Sequence, residues 1–323
     1  MTRKRIAIIN TGGTISMSED RATGKVSPSS HNPLTQDSTL FGEYADLTVH
    51  DLFHLPSPHV RLADMLALSQ WIQQHANDYD GMVITHGTDT LEETAYFLDL
   101  TLALDLPIVL TGAMRSSNEI GADGLANLRS ALITALADAS YRQGVLVVMN
   151  DEIHTATYVT KTHTTNLATF QTPTFGPIGL VTKNQVIYFQ QRQRQAHYPI
   201  TQLTQRVALL KAYADMEPDL FASVLQADYA GVVIEGLGAG NMPPATVPII
   251  EQLIEKGVVV VMVSRAFNGI TEDVYDYVGG GKQLHQVGVI YTQGLSGVKA
   301  RLKLIALLNS DTSVDLAQAF KIN

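Results

Sequence analysis

Residues 6–15 read Ile-Ala-Ile-Ile-Asn-Thr-Gly-Gly-Thr-Ile, and residues 82–90 read Met-Val-Ile-Thr-His-Gly-Thr-Asp-Thr. Each stretch is a short apolar run followed by a turn that contains glycine and threonine. Uninterrupted runs rich in Val and Ile are typical of strands that are covered on both faces of a parallel sheet. Open α/β sheets place their chemistry at the carboxyl ends of such strands, so the hydroxyls of Thr14 and Thr88 are the first candidate reactive groups.

Similar apolar runs recur along the chain, and helical spacing separates them. Leu91, Ala95 and Leu98, for example, lie on one face of a predicted amphipathic helix. Strands that alternate with helices predict parallel βαβ units, and hence an α/β fold. The further runs that we assign to strands are residues 108–110, 145–149, 207–210, 232–234, 258–263 and 289–291.

The length of 323 residues predicts two domains rather than one. The alternation stops near residue 190, where the chain becomes crowded with Gln and Arg and carries Pro199. We therefore predict a larger N-terminal α/β domain over residues 1–190, a surface linker over 191–205 and a smaller C-terminal α/β domain over 206–323. Each domain is expected to contain a mostly parallel sheet.

Composition excludes several classes of protein. The formal net charge of -9 disfavours nucleic acid and anionic membranes as partners, because both attract basic patches. The absence of cysteine excludes disulfides, thiolate catalysis and zinc–thiolate sites. No stretch approaches the ~20 apolar residues of a membrane span, and the apolar run behind Thr2-Arg3-Lys4-Arg5 is too short for a signal peptide. We expect a cytoplasmic protein.

The turn after the first strand allows two interpretations. Gly12 and Gly13 can adopt positive φ and bring backbone amides close to a ligand, as in an oxyanion hole beside a nucleophilic hydroxyl. The alternative is an ordinary turn in which Thr14 caps the next segment. The polar stretch that follows, residues 16–33, predicts a mobile loop, and its position suits a lid over an active site.

The turn after the second strand combines a hydroxyl with an acid. Thr88 or Asp89 is expected to cap the helix that begins near Leu91, but capping does not explain the whole cluster. His86 can serve as a base or metal ligand, although a single histidine at a strand end is more often structural. Lys161 can act as the base that a hydroxyl nucleophile needs if a carboxylate such as Asp89 holds its proton. Otherwise it is a solvated loop lysine.

Motifs for cofactors and metals are missing. Gly279-Gly280-Gly281-Lys282 is followed by Gln283, so it is not a phosphate-binding loop. The first turn lacks the G-x-G-x-x-G fingerprint of dinucleotide binding. The irregularly spaced His50, His54 and His59 are interpreted as surface loop residues. We expect neither a cofactor nor a metal.

Together these motifs resemble those of the bacterial-type L-asparaginases, in particular the homotetrameric class. The resemblance begins with Thr11-Gly12-Gly13-Thr14-Ile15 and His86-Gly87-Thr88-Asp89-Thr90. It extends over nearly the whole chain, through residues 91–101, 111–115, 144–151, 159–162 and 236–241. It implies hydrolysis of L-asparagine to L-aspartate and ammonia without a cofactor, in a homo-oligomer that is a dimer or a tetramer.

The resemblance also implies the roles of individual residues. Thr14 is similar to the nucleophile that attacks the side-chain amide. Thr88, Asp89 and Lys161 are similar to the group that moves protons and positions the attacking water. The implied substrate-binding residues are Gly13 and Thr88 for the oxyanion, Asp89 for the α-amino group, Ser57 for the α-carboxylate and Asn241 from a neighbouring subunit.

Three features depart from the family pattern. No tyrosine lies between Ile15 and His31, where many relatives have one and where Arg21 is the nearest equivalent. Pro58 follows Ser57 in place of glutamine, and no glutamate lies in the stretch 278–282. Within the resemblance, the alternatives are a glutaminase-asparaginase, the amidase subunit of a tRNA-dependent amidotransferase, and an inactive sensor that binds asparagine or aspartate.

Overall fold

The structure is a computed structural model that describes residues 3–13, 15, 17–20, 23, 25–28, 41–192, 196–312 and 314–321. Thr14 and Arg21 lie outside the described residues. The chain divides into two compact units, residues 1–194 and 195–323. Both are α/β, and the first is the larger, so the predicted fold class is confirmed.

The first unit contains short strands that alternate with three α-helices in its described part. The strands are β1 Arg5–Gly12, β2 Met17–Asp20, β3 Lys25–Pro28, β4 Asp46–Leu55, β5 Gly81–Thr85, β6 Ile108–Thr111, β7 Val145–Met149, β8 Glu152–Thr155, β9 Thr160–Lys161, β10 Phe170–Gln171, β11 Gly179–Val181 and β12 Val186–Tyr188. The helices are α1 Leu62–His75, α2 Leu91–Thr101 and α3 Gly124–Leu136.

The main sheet of this unit has the strand order β12-β11-β8-β7-β6-β5-β1-β4. Strands β4, β1, β5, β6 and β7 are parallel, and the strands from β8 outward pair antiparallel. In this sheet β4 lies on one side of β1, and β5, the next strand along the chain, lies on the other side of β1. This reversal creates a crevice at the carboxyl ends of β1 and β5, where open α/β sheets bind their ligands.

Core side chains cover both faces of this sheet. Ile6 and Ile8 of β1 contact a cluster that includes Leu128 of α3, whereas Ala7 and Ile9 belong to a second cluster on the opposite face. The second cluster also contains residues of α1 and α2. Burial on both faces explains why the strand sequences are continuously apolar rather than alternating.

Three local predictions are wrong. Residues 17–20 and 25–28, expected in a loop, pair as an antiparallel hairpin, because backbone hydrogen bonds can form a ladder from polar residues. His50 and His54 lie in β4 rather than in a loop. Arg192, expected on a surface linker, has a side chain that is only 9% exposed because it pairs with a buried carboxylate.

The second unit contains a four-stranded parallel sheet in the order β13-β14-β15-β16. Its core includes Val232 and Ile234 of the sheet and Ile250 of a flanking helix. The strands are β13 Val207–Lys211, β14 Gly231–Gly236, β15 Val259–Ser264 and β16 Ile290–Tyr291. The helices are α4 Asp219–Gln226, α5 Val247–Glu255, α6 Gly281–Gln286, α7 Gly297–Asn309 and α8 Leu316–Lys321. None of the helices in the described ranges has the length and apolar character needed to cross a bilayer.

Candidate active site

Hydrogen bonds made by side chains hold the ends of β1 and β5 together. The Thr11 hydroxyl donates to the carbonyl of Thr85 at 2.8 Å. The Thr85 hydroxyl in turn donates to Oδ1 of Asn10 at 2.9 Å. All three side chains are buried, where a hydrogen bond that is left unmade is costly. The two turns that carry the threonine motifs therefore start from fixed positions.

Gly13 and Gly87 bring these two turns into direct backbone contact. A β-carbon added to Gly13 would lie 2.3 Å from the Cα atom of Gly87. Gly13 also has a φ of +88°, which side chains other than glycine rarely adopt. A β-carbon on Gly87 would lie 2.7 Å from the Cβ atom of Ser57. Glycine is thus required at both positions by close packing.

Ser57 lies in a short 3-10 helix, Ser57–His59, which follows β4. Its buried Oγ accepts a hydrogen bond from the Asp89 backbone amide at 3.2 Å. Its carbonyl accepts one from the Thr90 hydroxyl at 2.8 Å. Thr90 occupies the N-cap position of α2, but its side chain makes no capping hydrogen bond. The expected capping of α2 by Thr88 or Asp89 is therefore wrong, because Ser57 organises this turn instead.

Lys161, on the short strand β9, connects the hydroxyl and the acid of the second motif. Its Nζ donates to Oγ1 of Thr88 at 2.9 Å and to Oδ1 of Asp89 at 2.7 Å. The Lys161 side chain is 17% exposed, whereas that of Asp89 is 58% exposed. Lys161 is thus not a solvated loop residue. The arrangement can hold a proton between an amine and a hydroxyl while a carboxylate faces solvent.

His86 is buried directly behind this turn. Its Nδ1 lies 2.8 Å from the carbonyl of Gly87, and its Nε2 lies 2.9 Å from Oγ1 of Thr94. Burial lowers the pKa of His86 to about 4, so the ring is neutral near pH 7. A buried ring with both nitrogens engaged supports the structural interpretation rather than a base or a metal ligand.

Two family models cover most of the sequence. The model described as "Asparaginase, N-terminal" matches residues 5–194, and the model described as "Glutaminase/Asparaginase C-terminal domain" matches residues 206–320. This chain belongs to the asparaginase family.

Known proteins of this family resemble the chain over nearly its full length. An L-asparaginase of Bacillus licheniformis is 35% identical over 95% of this chain and 96% of that protein. A probable L-asparaginase of Deinococcus radiodurans is 40% identical over 96% and 94%, respectively. The solved structure of a probable cytoplasmic L-asparaginase from Campylobacter jejuni has a TM-score of 0.86 and 32% identity, and covers 98% of this chain and 99% of that chain. A glutaminase-asparaginase of Pseudomonas fluorescens is 28% identical over 98% and 89%.

In this member of the asparaginase family, five of the candidate residues lie in one connected set. They are Gly13, Ser57, Thr88, Asp89 and Lys161. Thr14 lies outside the described residues, and Asn241 lies in the second unit. There, its Oδ1 accepts a hydrogen bond from the Gly281 amide at 3.0 Å. The described part of the chain has no group of three or more His, Asp or Glu side chains placed to hold a metal ion.

The sequence interpretation missed two contributors to this arrangement. Thr90 supports Ser57, and Thr94 contacts His86. Thr90 is the last residue of the motif His86-Gly87-Thr88-Asp89-Thr90, so the motif itself could have pointed to it. Thr94 follows His86 by eight positions and faces it only because α2 packs back against the strand end.

Proposed function

We propose that this chain hydrolyses L-asparagine to L-aspartate and ammonia through an acyl-enzyme formed on Thr14. The observation that carries the proposal is the position of Lys161, whose Nζ contacts both the Thr88 hydroxyl and the Asp89 carboxylate beside the Gly13 turn. A purely structural lysine does not need to contact both a hydroxyl and a carboxylate at the crevice between the carboxyl ends of β1 and β5. Family membership and the relatives named L-asparaginase support asparagine as the substrate.

The first half-reaction transfers the acyl group to the enzyme. The Thr14 hydroxyl oxygen attacks the side-chain carbonyl carbon of asparagine, and a bond forms between these two atoms. The negative charge that develops on the carbonyl oxygen is stabilised by the amides of Gly13 and Thr88. The carbon–nitrogen bond then breaks, the hydroxyl proton is delivered to the leaving nitrogen, and ammonia departs. Thr14 remains as an ester of aspartate.

The second half-reaction returns the free enzyme. A water oxygen attacks the ester carbon while the Thr88 hydroxyl and the Lys161 amine take up its proton. The bond between this carbon and the Thr14 oxygen breaks, and the proton returns to that oxygen. Asp89 keeps Lys161 in place through the 2.7 Å contact. The products are L-aspartate and the regenerated threonine.

Substrate recognition uses the charges of the amino acid backbone. The Asp89 carboxylate is more than half exposed and is suited to bind the α-ammonium group. Ser57 binds the α-carboxylate. Asn241 completes the site from another copy of the chain in a homodimer or homotetramer. We further propose a cytoplasmic location, as named for the Campylobacter jejuni protein, and a linker over residues 191–205 between domains 1–190 and 206–323.

Ammonia release from L-asparagine tests the proposal directly. We expect turnover by the unaltered chain and its loss in both Thr14→Ala and Thr88→Val, since each change removes a reacting hydroxyl. Thr134→Val is the matched control, because among the described residues the hydroxyl of this buried threonine of α3 donates to the Ser130 carbonyl alone. Full turnover in Thr14→Ala would contradict the acyl-enzyme route. If the unaltered chain bound asparagine without turnover, it would be the inactive sensor instead.

A second candidate is a glutaminase-asparaginase, which the 28% identical Pseudomonas fluorescens relative favours. Discrimination of a single methylene by a pocket contributes only ~1–3 kcal/mol, or roughly 10- to 200-fold. We therefore expect asparagine to be preferred over glutamine within that range. Equal rates from the two amides at the same sub-saturating concentration would favour the broader enzyme.

A further inference from the structure

The His86 ring connects α2 to the backbone of the second motif. The Gly87 carbonyl can only accept a hydrogen bond, so Nδ1 of His86 must carry the ring proton in the 2.8 Å contact. In a neutral ring, Nε2 is then an acceptor, and the Thr94 hydroxyl donates to it at 2.9 Å. The resulting chain of donors runs in one direction, from Thr94 through His86 to Gly87.

This chain of hydrogen bonds ends on a peptide group that Thr88 shares. The Gly87 carbonyl and the Thr88 N–H belong to one planar unit, and no peptide bond in the described ranges is cis. In a trans unit these two groups point in opposite directions. Fixing the carbonyl on the His86 side therefore fixes the direction of the Thr88 N–H.

The Thr88 N–H itself remains available. Among the described residues it donates no hydrogen bond, whereas the next amide, that of Asp89, donates to Ser57. Gly13 and Ser57 pack so closely against Gly87 that a β-carbon there would lie 3.1 Å from the Cα atom of Gly13 and 2.7 Å from the Cβ atom of Ser57. The peptide is thus held at its carbonyl by His86 and packed closely at Gly87, while its N–H has no acceptor among the described residues.

We propose that His86 and Thr94 are positioning residues that orient the Gly87–Thr88 peptide so that the Thr88 N–H stabilises the oxyanion. This inference rests on the proposed function. It also assigns a task to two buried polar residues that the reaction steps do not use. Their effect is expected in the transition state, where the oxyanion charge is largest, and not in ground-state binding.

Two substitutions of His86 separate the roles of its two ring nitrogens, because each replaces one of them with an amide N–H. Asparagine places an N–H donor near the position of Nδ1, whereas glutamine places one near the position of Nε2. We expect His86→Asn to keep most of the kcat for asparagine and His86→Gln to lose roughly 10- to 100-fold, less than the full loss of an oxyanion donor. A merely structural histidine would not produce this order.

Thr94→Val tests the outer end of the chain of hydrogen bonds. It removes the donor to Nε2 with almost no change in shape, and we expect a loss in kcat of roughly 10-fold because the ring is no longer held in one tautomer and orientation. Thr134→Val again serves as the control and is expected to keep the kcat of the unaltered chain. The Kd for L-aspartate, measured by calorimetry, should stay within about twofold in all variants.

The pH profile separates this role from that of a base. The loss in His86→Gln and Thr94→Val should be the same from pH 6 to pH 9, because the ring is neutral throughout that interval. Equal kcat values for the asparagine and glutamine variants, or a loss confined to one side of this pH range, would overturn the inference. No ammonia release by the unaltered chain would instead contradict the proposed function.

Discussion

Arg192 and Asp99 form an ion pair that is almost entirely removed from solvent. Nη1 of Arg192 lies 2.8 Å from Oδ1 of Asp99 and 2.9 Å from the carbonyl of Gln143. The same carboxylate accepts the backbone amide of Val145 at 2.9 Å. The two side chains are 9% and 1% exposed, respectively. The pair anchors Arg192 to α2 and to the start of β7.

Asp99→Asn is expected to lower the free energy of unfolding by about 3–5 kcal/mol, because it leaves the Arg192 guanidinium buried without its counter-charge. Denaturant unfolding of the two proteins measures the difference. Asp138→Asn is the control, since Asp138 pairs with Lys4 at a carboxylate that is almost fully exposed, and little change is expected there. Equal effects of the two substitutions would contradict a buried ion pair.

Gly13→Ala is expected to abolish ammonia release, because the added methyl group would displace Gly87 and the peptide that follows it. Gly257→Ala provides the control. Gly257 has a φ of +82°, close to the +88° of Gly13, but a β-carbon there has no neighbour within 4 Å. The control should lose about 1–2 kcal/mol of stability from backbone strain and keep its kcat. A fully active Gly13→Ala protein would disprove the contact between the two turns.

Lys161→Met is expected to reduce kcat by about 10²–10⁴-fold, the usual contribution of a positioned proton-transfer group. Lys161→Arg should fail almost as badly, since a guanidinium keeps the charge but cannot release a proton at neutral pH. Lys4→Met removes a lysine that also pairs with a carboxylate, and it should leave kcat unchanged. Near-normal activity in Lys161→Arg would indicate that only the charge matters.

Lys303 should make stability depend on pH in the alkaline range. This lysine of α7 is buried next to the Phe320 ring, and burial lowers its pKa to about 8. The unfolded chain binds this proton up to about pH 10.4. Between these values the unfolded state holds more protons, so the free energy of unfolding rises with pH, by about 3 kcal/mol in total.

Denaturant unfolding from pH 7 to pH 10.5 checks this slope. Lys303→Met should remove the rise that Lys303 contributes, and the difference between the two curves isolates it from other titrating groups. Lys256→Met replaces an exposed lysine of the same unit and should leave the slope as it is. A Lys303→Met curve parallel to that of the unaltered chain would contradict the lowered pKa.

Most of the parallel strands could be predicted because they are unbroken apolar runs, as in Met82–Ile84 of β5. Strand β4 could not, since none of its residues is fully buried and its exposed positions, which include Asp46, Asp51 and His54, follow no regular period. Local periodicity shows which residues face a core only when the strand has an apolar face. The short antiparallel strands at the edge of the sheet, such as β11 Gly179–Val181, are too brief to show a period.

The candidate site was predictable in part. Sheet topology alone brings the turns at Gly13 and Gly87 together, because parallel strands end at one edge. The partnership of Lys161 with Thr88 and Asp89 has no local signal. From the residues alone, Lys161 could be either a base held by a carboxylate or a solvated loop lysine, and the family resemblance favoured the first. Long-range side-chain contacts of this kind depend on packing, which spacing along the chain does not encode.

The distances in sequence across this site have a kinetic consequence. Thr11 and Thr85 are 74 positions apart, and Lys161 and Thr88 are 73 apart. Contacts that span so much chain form late in folding, after local helices, because large loops must close first. During renaturation, far-ultraviolet ellipticity should therefore recover ahead of enzymatic turnover. The return of turnover would then time the moment at which the central strands come into register.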